Sequence, residues 1–135
     1  MLDRFVNAQS NGIYELALSE IKSGKKHNHW MWFIFPQLKG LGQSYTANYY
    51  AIEDREIVER YLKHPILGKR LIEISQAVYE LNANNIVDVF GYPDYLKFQS
   101  CMTLFSIVAP EIKIFKANLM RYFHGEVCRF TELNL

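Results

Sequence analysis

Three short stretches of the chain hold side chains able to bind or react. The first runs from His29 to Ser44, HWMWFIFPQLKGLGQS, with both tryptophans and two phenylalanines inside six consecutive residues. It stops at Pro36 and passes into a glycine-hinged loop carrying Gln37, Lys39, Gln43 and Ser44. Indole faces of Trp30 and Trp32 stack on a planar ring or a cation, while the His29 imidazole and the Gln37 amide orient a polar edge. Aromatic bulk beside a polar loop suggests a pocket. The bland alternative makes both tryptophans core and His29 a helix cap.

The second stretch, YPDYLKFQSCMTLF, opens a helix on which Asp94, Lys97 and Ser100 lie on related faces. A partly desolvated lysine there would serve as a base or a phosphate ligand, and a serine one turn away as a nucleophile. The competing reading is a dipole-compensating Asp94, a snorkelling Lys97 and a serine bonded back to its own helix. The third stretch is Arg121-Tyr122-Phe123-His124, where a basic residue suits the end of a helix. Arg121 gains a functional role only if the fold brings it beside the other two.

Several templates are missing. The chain has no glycine-rich phosphate loop, no GxSxG, no HExxH and no paired-cysteine zinc spacing. His27-x-His29 is the nearest approach to a metal motif, and it lacks a third ligand. No metal and no cofactor is expected. Lys22, Lys25 and Lys26 could hold phosphate, but such a cluster more often solvates a helix end.

The elements that must position these residues read as helices. Asp3 to Gln9 forms a short one. After Asn11-Gly12 a second places Tyr14, Ala17, Leu18 and Ile21 on one face and ends at Gly24. The aromatic run is too short to reveal its own period, so strand and buried helix both stay open. A short helix is favoured, because nothing else supplies a strand partner. Tyr45 to Ile52 is ambiguous. Asp54 reads as the N-cap of a helix burying Ile57, Val58, Tyr61 and Leu62, terminated by His64-Pro65. Leu67, Leu71, Ile74, Val78 and Leu81 form one apolar stripe on a helix from Ile66 to Leu81. Pro93 suits the first position of a helix running to about Ala109, broken by Pro110. A last long helix carries Ile112, Phe115, Leu119 and Tyr122 and ends at Gly125. The fold expected is all-α, a single domain over residues 1–135 with several helices around an aromatic-rich core.

Composition agrees with that picture. The chain has 135 residues, half of them hydrophobic and 15% aromatic, with a net charge of +1. A chain of this length buries roughly two thirds of its unfolded surface. No global field favours nucleic acid. The longest apolar run, Trp30 to Phe35, falls far short of the roughly 20 residues that span a bilayer. No apolar signal segment follows Met1. The two cysteines, Cys101 and Cys128, read as reduced thiols of a cytoplasmic protein, with Cys101 in the core.

The segments RFVNAQ, GKKHNHWMWFIFPQLKGLGQS, HPILGKRL, VFGYPDYLKFQSCMTLF and RYFHGE together resemble the domain of unknown function 1810 family of bacterial proteins, sometimes mislabelled calpastatin. The resemblance runs nearly end to end. It implies a mainly helical cytosolic domain and no known activity. Its motif positions fall on Arg4, Gln9, His29, Trp30, Trp32, Phe35, Pro36, Gln37, Gly40, Gly42, Ser44, Asp94, Lys97, Ser100 and Arg121. Cys101 departs from the pattern, which places a second serine there.

Two functional classes follow. In the first, the HWMW–FPQ segment and the DYLKFQS helix form a pocket for a small planar or anionic, nucleotide-like ligand. A metal-independent hydrolase or transferase would then use His29 as acid or base, Lys97 for charge and Ser100 as nucleophile. Trp30, Trp32, Gln37, Ser44, Asp94 and Arg121 would bind the ligand. In the second, the tryptophan-rich segment is a protein-partner or homodimer surface rimmed by the basic stretch. Exposed tryptophans on a flat face would favour the second, and burial around a cleft the first.

Overall fold

The computed structural model describes residues 2–135. Ten helices follow one another among them: α1 (Asp3–Ala8), α2 (Ile13–Lys22), α3 (Met31–Ile34), α4 (Tyr45–Tyr49), α5 (Arg55–Lys63), α6 (Leu67–Tyr79), α7 (Ile86–Phe90), α8 (Asp94–Val108), α9 (Lys113–Phe123) and α10 (Arg129–Asn134). The described residues contain no strand. Their one β feature is an isolated parallel bridge between Leu38 and Ile52. The all-α expectation holds.

Local chemistry explains several boundaries. Ser44, Asp54 and Asn85 cap α4, α5 and α7 by accepting hydrogen bonds from the N–H groups of Ala47, Ile57 and Val87. His64 ends α5 and its Nδ1 accepts from the N–H groups of Ile66 and Leu67 at the start of α6. One imidazole thus turns the corner between two helices. Gly24, with φ of +90°, takes the left-handed residue after α2 that side chains resist.

The α6 stripe buries Leu67, Leu71, Ile74 and Val78, but the helix stops at Tyr79 and leaves Leu81 in the following turn. The ambiguous stretch after Ser44 divides into α4 and the bridging residue Ile52. Pro93 precedes α8 as its N-cap instead of opening it. α10 was not expected, because RFTELN carries one short apolar repeat between polar residues.

The core forms around α8, which packs against α5, α7, α9 and α10. Phe98, Cys101, Met102, Leu104 and Phe105 are buried on nearly all sides of it. Phe35 reaches in from the aromatic run and meets Phe90 and Phe98 edge-on, with centroids 5.6 and 5.2 Å apart. Pro36 ends α3 where that ring is delivered. The aromatic run is therefore tied to the start of α8 from inside.

Candidate functional site

The site begins at the C-terminal end of α2. Past Gly24 the Lys26 N–H donates to the Val89 carbonyl at 2.8 Å, seating the chain against α7. The next turn is held by one carboxylate. Glu20 accepts from the backbone N–H groups of His27 and Asn28, from Asn28 Nδ2 and from Trp30 Nε1. Burial opposes its charge. The hydrogen bonds from Asn28, His27 and Trp30 win and hold its pKa at about 2.

That clamp fixes Lys26 and the aromatic run relative to the N-terminus of α8. Lys26 Nζ lies 2.9 Å from Asp94 Oδ2, and Lys97 Nζ lies 3.0 Å from Asp94 Oδ1. One carboxylate bridges two ammonium groups, one from each segment. The side chains of Lys26, Asp94 and Lys97 retain only 9%, 18% and 18% of their exposure. Each lysine also faces an indole. Lys97 Nζ sits 3.7 Å from the Trp32 ring centroid, and Lys26 Nζ sits 5.2 Å from that of Trp30. Burial works against a charged Asp94, yet the two lysines keep its carboxyl below the ordinary value. Two cations against one anion leave the cluster with a net positive charge, and each ammonium has N–H donors beyond the one spent on Asp94.

The glycine loop leans on the same tryptophan. A Cβ at Gly42 would collide with the Ala47 methyl group and lie 3.4 Å from Trp32 Cη2, so glycine is what lets α4 and the loop close onto the ring. Backbone bonds on either side of the Leu38–Ile52 bridge, Lys39 N–H to the Ile52 carbonyl and Ile52 N–H to the Gln37 carbonyl, fasten the ends of that loop. Gln37 is buried beneath this fastening. Ser44 spends its hydroxyl on the α4 cap.

The remaining candidates lie apart from the lysine pair. His29 is exposed and lines a separate groove of about 360 Å³ with Asn28, Trp30, Phe33, Tyr50 and Leu16; neither Lys97 nor Asp94 belongs to its walls. Trp30 is 1% exposed and bonded to Glu20, so it walls the core and offers no open stacking face. Ser100 is buried and donates to the Leu96 carbonyl of its own helix. Arg121 donates to the carbonyls of Tyr79, Leu81 and Ala83 and lies 4.6 Å over the Tyr122 ring, stapling the end of α6. Among the described residues no group of three or more His, Cys, Asp or Glu could hold a metal ion.

Of the residues central to this arrangement, sequence reasoning misses Glu20 and offers Lys26 only as a possible phosphate ligand within a lysine run, because its partner Asp94 stands far along the chain. Glu20 left a clue, being a carboxylate three residues after Ala17 on the flank of the apolar stripe.

What the geometry allows is anion binding beside an aromatic ring. A family profile described as "Protein of unknown function (DUF1810)" matches residues 1–135. The chain is also similar to a conserved hypothetical protein, Rv1873, from Mycobacterium tuberculosis, known from a crystal structure. The two are 42% identical over 99% of this chain and 95% of that one, with a TM-score of 0.96. A comparison with curated proteins finds no match.

Proposed function

Since the chain belongs to the family of proteins of unknown function DUF1810, we propose its role from geometry: a single helical domain that binds a small anionic ligand where Lys26, Lys97 and Trp32 meet. The observation that carries this reading is the sharing of one carboxylate, Asp94, by two largely buried ammonium groups. Charge left over among side chains that are mostly withdrawn from water attracts anions more strongly than the same charge on an open surface. The half-buried Trp32 ring supplies the apolar wall that such a ligand needs on one side.

Binding fits this site better than group transfer. Ser100, the aliphatic hydroxyl nearest in sequence to Lys97 on α8, is committed to Leu96. His29, the candidate acid or base, faces a different groove. A partner or homodimer surface built on the tryptophans has little to present, with Trp30 at 1% exposure and Trp32 under a lysine.

Thermal stability against a panel of inorganic anions, sugar phosphates and nucleotides tests the reading. A ligand at about 100 times its Kd adds roughly 2.7 kcal/mol, worth several degrees in a domain of this size. The expected result is a stabilising anion whose effect is lost in Lys97→Ala and Lys26→Ala but kept in Lys116→Ala, a lysine on α9. A flat panel would favour the protein-partner reading instead.

A further inference from the structure

Building on the anion-site reading, we propose that Asp94 is a resident competitor standing in for the phosphate group of inorganic phosphate or of a small phosphomonoester. The carboxylate already does what one edge of a phosphate would do, giving one oxygen to Lys26 and the other to Lys97. A phosphate dianion offers three acceptor oxygens in a similar spread, and it can reach lysine donors that Asp94 leaves unused.

Charge decides which anion wins. With Asp94 in place the cluster carries +1, two lysines less one carboxylate; with Asp94 turned out to water it carries +2. A free monocarboxylate would merely replace a group that the chain already supplies intramolecularly, in place and oriented. A dianion adds a second charge to the same two ammonium groups and is the class of ligand that gains from the exchange. Asp94 and Lys97 each retain 18% side-chain exposure against 9% for Lys26, so the carboxylate reaches solvent more readily than Lys26 does.

Two features favour this exchange. Asp94 is the first residue of α8, a helix of 15 residues whose dipole favours negative charge at that end. A cavity of about 560 Å³ opens beside Lys26, lined by Lys25, Lys26, Val87, Asp88, Val89 and Gly91. Of the cluster only Lys26 is on its walls, where Lys25 and Asp88 offset each other in charge, and it has room for the organic part of a small phosphomonoester held from the Lys26 side. The carboxyl of Asp94 stays ionised at neutral pH, because the lysines hold its pKa down, so the competition persists under ordinary conditions.

Isothermal titration of the full chain with inorganic phosphate, phenyl phosphate and acetate tests this, on the wild type and on Asp94→Asn and Asp94→Ala. Wild type is expected to bind a phosphate compound at least about tenfold more tightly than acetate, and both variants about tenfold more tightly still. Tighter binding of inorganic phosphate than of phenyl phosphate would identify the free ion as the occupant, and the reverse order the monoester. Folded variants that bind phosphate no better than wild type would overturn the competitor role while leaving the anion site standing. Equal binding of acetate and phosphate by wild type would overturn the dianion preference even if neither variant folds. No binding of any of the three to wild type or variants would sink the anion site itself.

Discussion

A carboxylate that accepts several N–H groups at once resists protonation, and Glu20 does so at the turn that carries Lys26. Its ordinary pKa of 4.5 falls to about 2 in the folded chain. A depressed folded value means that the stabilisation is complete above the unfolded pKa and fades as pH falls from about 4.5 towards 2. Glu20→Gln keeps the size but turns an amide towards donors, and it should cost about 2 kcal/mol in urea unfolding at pH 7. The same variant should lose stability less steeply between pH 5 and pH 2 than the wild type does, since it lacks the titrating group; equal slopes would contradict the clamp. Arg121 gives the complementary case. Its guanidinium is spent on the carbonyls that end α6, so Arg121→Ala should lower stability by about 1 kcal/mol and leave anion binding intact. At this scale the sequence showed which residues were unusual, but not their contacts. Lys97, Asp94 and Trp32 stood out by type and spacing, while the Lys26–Asp94 pair depends on two segments distant along the chain.

At the scale of elements, side-chain caps were legible unevenly: Asp54 reads as the start of α5, while Ser44 and Asn85 do not read as the starts of α4 and α7. Asp54 is the clearest, and Asp54→Ala should cost about 1 kcal/mol by loss of its bond to the Ile57 N–H. The α6 stripe was equally clear, since four of its five apolar positions are buried on the helix. What could not be read were the short pieces. α7 and α10 have five and six residues, too few to show a period or to stand without tertiary contacts. Between α5 and α6 lies a contact with no sequence signature at all. Gly68 sits so close to the Leu62 backbone that a Cβ would collide with the Leu62 carbonyl oxygen. A helix-favouring replacement, Gly68→Ala, should therefore destabilise by about 3 kcal/mol, measured by chemical denaturation, instead of stabilising. A neutral or stabilising result would mean that α5 and α6 are not packed in this way.

Across the whole molecule, one aromatic core joins the first half of the chain to the second through Phe35, Phe90 and Phe98. The fold class was legible because helical periodicity dominates and no segment supplies a convincing strand. How the candidate residues would be distributed was not, because a cluster in sequence can be split by a single buried side chain. Trp30 does this: the His29 groove takes it as a wall, and Lys26 lies over its ring. Burial of the core also sets thiol chemistry. Cys101 is fully buried, which pushes its thiol pKa up, whereas Cys128 is half-buried. A disulfide reagent should modify Cys128 in the native protein and reach Cys101 only after unfolding. The central claim, an anion site formed by Lys26 and Lys97 against Trp32, is met most directly by a fluorescence titration with inorganic phosphate. Lys97 lies on the Trp32 ring itself, so an arriving anion should change the emission saturably. That change should disappear in Trp32→Phe, which keeps Trp30, and in Lys97→Met. Emission that is unaltered by phosphate, or altered equally in Lys97→Met, would contradict the account.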